Sequence, residues 1–221
     1  MAALGEVEVV QLPGLTPYLA GWELQRAAHL AVATGAQAPT IYLLEHESTY
    51  TAGRRTHLDE YPTDGTPVLE VDRGGKITWH GPGQLVAYPV IPLREPLDVI
   101  EYLRRLEHAV MVICDALGVP AGRIEGRSGV WVGSIYGPPE ASRKICAVGA
   151  RIARGVTMHG LALNCAPDLS AFDRIVPCGI DDASVTSLSV ETGRPVSVSE
   201  MRPILAETLV ESLKPQLGVI R

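Results

Sequence analysis

Apolar and polar positions divide the chain into short strand-length runs separated by three helical stretches. Residues 6–12 (EVEVVQL), 40–44 (TIYLL), 68–75 (VLEVDRGG) and 84–93 (QLVAYPVIPL) read as strands, as do 129–136 (GVWVGSIY), 143–155 (RKICAVGARIARG) and 156–165 (VTMHGLALNC). Pro89 and Pro92 have no N–H for a ladder, which predicts that the 84–93 strand lies at an edge or carries a bulge. Residues 45–60 (EHESTYTAGRRTHLDE) are polar and read as a loop. The clearest helix is LDVIEYLRRLEHAVMVICDALG, where Val99, Leu103, Leu106, Val110, Ile113 and Leu117 recur at three- and four-residue spacing before Gly118. An earlier helix is predicted from Thr16-Pro17 to about Thr34, with Leu19, Trp22, Ala27 and Leu30 on its apolar face. A last one starts at the capping pair Ser197 and Glu200, with Ile204, Leu205, Leu209 and Leu213 as its apolar positions, and closes on Pro215. This mixture predicts an α+β (mixed α/β) fold in one domain over residues 1–221, with 181–221 as the segment that would form a small C-terminal extension.

Composition narrows the function classes. The 221 residues are 46% hydrophobic and 20% charged, with a net charge of −6, so there is no global basic field for nucleic acid. Aromatic residues make up only 5%, which leaves little for stacking on bases. The opening MAALGEVEVV lacks a basic segment followed by a long apolar run, and no stretch nears the roughly 18 apolar residues of a membrane span. A cytoplasmic monomer is therefore expected. Cys114, Cys146, Cys165 and Cys178 form neither a CxxC pair nor a zinc spacing, which predicts free thiols. Within the acidic chain, residues 143–154 carry four positive charges and no acid, a stripe that would suit an acidic partner.

Two places invite chemistry. RGGKITWHGPGQ, residues 73–84, leaves the backbone bare beside polar side chains and matches neither GxGxxG nor GxxxxGK[ST]. Cys178 lies in a turn between Pro177 and Gly179. An ordinary thiol, with a pKa of about 8.5, needs a cation, a base or a helix N-terminus to become a nucleophile. His46, His80, His159 and Lys144 are all candidates for that partner, and distance along the chain does not choose among them. The histidines are scattered with no HExxH, and no GxSxG elbow is present, which argues against metal and serine catalysis.

Five segments in order, HESTYTAGRR (46–55), RGGKITWHGPGQLVAYPVI (73–91), GVWV (129–132), RKICAVGARIARGVTMHGLALN (143–164) and RIVPCGI (174–180), together resemble the lipoate-protein ligase B family. The resemblance implies transfer of an octanoyl group from octanoyl-acyl carrier protein to a lysine of lipoyl domains, those of 2-oxoacid dehydrogenase E2 subunits and the glycine cleavage H protein. The enzyme would carry the acyl group as a thioester. The family's PCG thiol falls on Cys178, and the lysine before its AxG motif falls on Lys144, implied to lower the thiol pKa and act as acid/base. The implied substrate walls are Arg73, Gly74, Gly75, Lys76, Ile77, Thr78, Trp79 and His80, then Ala147, Val148 and Gly149, then Gly160, Leu161 and Ala162. N–H groups at Gly74, Gly75 and Gly149 would stabilise an oxyanion. The implied fold is that of biotin- and lipoate-protein ligase catalytic domains, and no cofactor or metal is implied because the donor is already a thioester. The family pattern has a small residue where this chain has Cys146. The competing readings are an ATP-dependent ligase on the same fold, a thioester hydrolase and a non-catalytic acyl-carrier-binding protein.

Overall fold

A computed structural model describes residues 7–133, 142–175 and 184–218. In chain order the elements are β1 (Glu8–Thr16), α1 (Tyr18–Ala33), β2 (Thr40–His46), β3 (Thr49–Ala52), β4 (Val68–Glu70), β5 (Thr78–His80), β6 (Gln84–Val90) and α2 (Val99–Ala116). There follow β7 (Ala121–Ile124), β8 (Arg127–Gly133), β9 (Ser142–Ala153), β10 (Val156–Asn164), β11 (Ser184–Val185), α3 (Leu188–Thr192) and α4 (Val198–Leu213). The large mixed sheet has the order β1-β2-β6-β10-β9-β8-β7. Near its start β9 also pairs with β11, which runs parallel to it. A second sheet has the order β4-β3-β5, and its middle strand comes from the 45–60 stretch that reads as loop. Its middle strand is short, and its polar threonines disguise a segment of which Tyr50, Thr51 and Ala52 are buried.

Both faces of the large sheet are covered, which is why its central strands are apolar at consecutive positions. Ile41 and Leu43 of β2, with Leu85 and Ala87 of β6, face α2 and α4 in one core. The alternate residues Tyr42, Leu44, Val86 and Tyr88 face α1 in another. Leu205, Leu209 and Leu213 of α4 join the first core, so the C-terminal helix packs into the main body. Its cap is the predicted one, Ser197 Oγ accepting the Glu200 N–H at 3.1 Å.

On α1 the buried face is Tyr18, Gly21, Gln25, Ala28 and Val32, whereas Leu19 and Leu30 are exposed. The hydrophobic pattern there points the wrong way because the helix lays a tyrosine, a glutamine and a glycine against polar groups of the sheet. The expected N-cap also moves, since Thr16 ends β1 and Pro17 takes the capping position.

Of the two expectations for the 84–93 strand, an edge position or a bulge, the edge position is overturned, because β2 and β10 flank β6. The β6–β10 register runs from Gln84 to Ala87, short of Pro89. Beyond it the Thr157 hydroxyl donates to Pro89 O at 2.6 Å and accepts the Ile91 N–H at 3.1 Å, bridging the gap. Gly160 makes room for the ring: a Cβ there would lie 2.3 Å from Ala87 O and 2.7 Å from Pro89 Cδ. Gly160→Ala should therefore destabilise the protein by roughly 1–3 kcal/mol, the usual cost of overpacking, seen as a lower urea midpoint. An unchanged midpoint would mean that the strands part freely at this point.

Candidate active site

A cavity of about 190 Å³ opens between the floor formed by β6, β9 and β10 and a cover formed by the 73–76 loop, β5 and the start of α1. Of the fourteen predicted substrate-wall residues twelve line it: 73–76, Thr78, His80, 147–149 and 160–162. Ile77 and Trp79 do not. They alternate with Thr78 and His80 and so face the opposite side, packing with Tyr50, Phe172 and Ile175. Lys144 also lines the cavity. Cys178 lies outside the described residues.

The cover is latched by Arg73, whose buried guanidinium donates to Thr51 O and Oγ1, both at 2.9 Å, to Lys76 O at 2.8 Å and to Gly74 O at 3.1 Å. Gly53 allows the close approach, since a Cβ there would lie 2.4 Å from Gly75 O. The Gly74 N–H donates to Ala150 O at 3.2 Å, which removes it from the donors expected for an oxyanion. The same bond ties the loop to β9.

Lys144 is 6% exposed, with Nζ 4.6 Å from the centroid of the Trp131 ring. Among the described residues no carboxylate pairs with it. A cation over an aromatic face is stabilised by the ring quadrupole without a counter-charge that would hold it permanently as a salt bridge. Gly129 (φ +112) packs beside its stem, and Glu107, 1% exposed, accepts the Gly129 N–H at 2.9 Å together with Arg104 and Arg123. In sequence Glu107 is only a polar position on a helix; its burial is what reveals it as an anchor for Gly129, next to the lining residues 126–128.

Half of the basic stripe is neutralised in space, while Lys144 and Arg154 have no carboxylate partner among the described residues. Arg143 is held by Glu191 through two bonds of 2.9 and 3.0 Å, and Arg151 is paired with Asp72. Cys114, Cys146 and Cys165 are buried free thiols. Burial pushes Cys114 and Cys165 up to about 12 and Cys146 well above its ordinary range, which disfavours the thiolate form of all three. Cys146 sits in the α2-side core.

The cavity's remaining wall includes His80, His159, Tyr18 and Tyr88, of which the two tyrosines escaped the sequence reading; His46 does not line it but bonds Tyr88. Tyr88 shows only as an apolar strand position, and Tyr18 only as a helix start. His46 Nδ1 faces Thr16 O at 2.9 Å and its Nε2 faces Tyr88 Oη at 2.6 Å. A carbonyl only accepts, so Nδ1 carries the proton and the tyrosine donates. His80 Nδ1 donates to Gln84 Oε1 at 2.8 Å, Gln84 donates to Asn164 Oδ1 at 2.9 Å, and Asn164 donates to Thr186 O at 2.9 Å. The Thr186 N–H in turn donates to Lys144 O at 2.9 Å. Through this buried chain His80 is linked to the backbone that presents Lys144.

Known proteins bear on this geometry. The model of the lipoyl protein ligase A/B catalytic domain matches residues 17–210. The octanoyltransferase of Mycobacterium tuberculosis (strain ATCC 25177 / H37Ra) is 54% identical over 217 residues, 98% of this chain and 91% of that protein. The octanoyltransferase of Nocardia farcinica is 53% identical over 211 residues, covering 96% and 84% of the two chains. Among solved structures, a lipoate-protein ligase A bound with ATP superposes with a TM-score of 0.71 at 18% identity, covering 95% of this chain and 86% of that one, a likeness of fold.

Burial lowers the His46 pKa from 6.5 to about 4. The unfolded ring therefore takes a proton that the folded one refuses, and this contribution to stability is lost as pH falls from about 6.5 to about 4, amounting to on the order of 3 kcal/mol at the lower end. His80 and His159 shift in the same direction. His46→Gln should show a shallower fall of urea-unfolding free energy over this window; a slope equal to the wild type would mean that the folded ring is not kept neutral.

Proposed function

The chain belongs to the lipoyl protein ligase A/B catalytic domain family, and we propose that its cavity holds an acyl group that passes through Cys178 with Lys144 as acid/base. It is an acyltransferase that moves octanoyl groups in protein lipoylation. The observation that carries the mechanistic reading is the state of Lys144: a buried amine in the cavity wall, faced by an aromatic ring rather than by a carboxylate.

In this reading the donor is octanoyl-acyl carrier protein. The Cys178 thiolate attacks the thioester carbonyl, the bond to the carrier's sulfur breaks, and the carrier leaves as a thiol with the proton that Lys144 has held. The acceptor lysine's amine then attacks the Cys178 thioester. The C–S bond breaks, an amide forms, and the proton lost by the amine returns to the Lys144–Cys178 pair. The first exchange is nearly isoenergetic and the second runs downhill, so the reaction needs no nucleotide. Aliphatic contact comes from Val86, Val148, Leu161 and Ala162, where each buried methylene contributes about 0.8 kcal/mol. The acceptor is a lipoyl-domain protein, such as a 2-oxoacid dehydrogenase E2 subunit or the glycine cleavage H protein, and the enzyme works as a cytoplasmic monomer.

Incubation with octanoyl-acyl carrier protein should add one octanoyl mass to the intact chain, and Cys178→Ser should abolish it. Persistence of the adduct in that variant would sink the relay, and ATP-dependent labelling that survives Cys178→Ala would establish a ligase instead. Lys144→Arg keeps a positive charge but cannot release a proton. It should form the adduct yet transfer to a lipoyl domain at least roughly a hundredfold more slowly, the scale of a lost general base. Normal turnover would make the lysine a purely electrostatic partner.

A further inference from the structure

Glu107 lies in the middle of α2 and is buried, a carboxylate that the acyl relay leaves unused. Its two oxygens serve different partners. Oε2 accepts from Arg104 Nη1 at 2.7 Å and from Arg123 Nε at 2.9 Å, and Arg123 also donates to Arg104 O at 2.7 Å. Oε1 accepts the Gly129 N–H at 2.9 Å. The arginines answer the buried charge. The bond to Gly129 does something else, because it fastens a strand to the helix through a backbone group.

The strand so fastened, β8, is the one that meets Lys144. Gly129 has φ +112, a conformation open chiefly to glycine, and a Cβ on it would lie 3.4 Å from Lys144 Cε and 2.5 Å from Cys146 O. Two residues on, the Trp131 ring centroid is 4.6 Å from Lys144 Nζ. The β8–β9 register shifts at this point: Val130 pairs with Cys146 and Trp131 with Lys144, which leaves Ile145 as an extra residue on β9. A bulge disrupts the ladder locally and re-aims the side chains beside it. Where the ladder is interrupted, Glu107 supplies a restraint from the helix.

We propose that Glu107 is a positioning residue for acylation of the acceptor amine: by holding the Gly129 N–H it fixes β8 against the bulge, and so keeps the Lys144 stem on the bare glycine and its amine on the indole. The proposal rests on the acid/base reading of Lys144 above. Glu107 does not itself line the cavity, and its effect passes through Gly129 to the lysine.

Two substitutions separate this role from stability. Glu107→Asp keeps the charge, which the partly exposed arginines can follow, but its shorter side chain draws the carboxylate away from a backbone N–H fixed in its strand. Glu107→Gln reaches as far as glutamate and offers its amide oxygen to Gly129, but turns an NH2 toward the arginines and loses both ion pairs. The full-length variants are compared by urea midpoint and by single-turnover transfer from the octanoylated chain to a lipoyl domain. Glu107→Asp should slow transfer roughly ten- to a hundredfold, the scale of a small misplacement of a reacting group, with the half-saturating lipoyl-domain concentration unchanged. Glu107→Gln should lower the urea midpoint further than Glu107→Asp yet lose less transfer. In a Lys144→Arg background neither variant should slow transfer any further, and this comparison decides the matter even where only one of the two folds. Wild-type transfer in Glu107→Asp, transfer that simply follows the urea midpoint, or an undiminished further loss on Lys144→Arg overturns the role of Glu107 alone. Normal transfer by Lys144→Arg itself overturns the acid/base reading beneath it.

Discussion

The gap in the ladder between β6 and β10 is the constraint on which the site depends. Pro89 cannot donate, so the two strands part after Ala87 and Leu161, and the Thr157 hydroxyl takes over the bonding. The parted backbone is accommodated at His159 and Gly160, one held in a left-handed conformation and the other bare of a side chain against the proline ring. The cavity floor, residues 159–162, begins there. A straight β10 would place a regular ladder where the ligand slot now lies, with side chains alternating through the space.

The second constraint is electrostatic. Several charges around the cavity are matched: Arg73 by carbonyls, Lys76 by Glu60, Arg151 by Asp72, and Glu107 by two arginines. Asp72 is held down at about 2, chiefly by the hydrogen bond from His159, with Arg151 adding to it. Burying a charge is tolerable when it is paired and hydrogen-bonded. Lys144 departs from that pattern, resting against Trp131, and this sets its surroundings apart from those of the structural cations.

The 73–84 stretch was legible as a site-lining loop because glycine and polar side chains together mark a bare backbone, whereas 147–149 and 160–162 came only from the family resemblance; all but Ile77 and Trp79 of the residues named as wall reach the cavity. Those two fall away because a strand turns alternate side chains to opposite faces, and residues 78–80 look like loop until their partner β3 is seen. The apolar face of α1 was misjudged for a related reason: Gln25 is fully buried because it serves His159, far away in sequence. Two of the four charges of the stripe at 143–154, Arg143 and Arg151, are neutralised by Glu191 and Asp72 from distant segments.

By itself the sequence determined the element types, the fold class, the resemblance to the octanoyl-transferring family and the chemistry-bearing residue types, since these follow from periodicity, propensity and local motifs. Tertiary structure alone decided that β6 is central, that Glu107, Tyr18, Tyr88 and Asp72 belong to the site's surroundings, and that Gly129 and Trp131 of β8 meet Lys144. The physical reason is one of range. Backbone preference is written in neighbouring residues, whereas burial, hydrogen-bond partnership and charge neutralisation belong to groups that meet only when strands distant in sequence lie side by side.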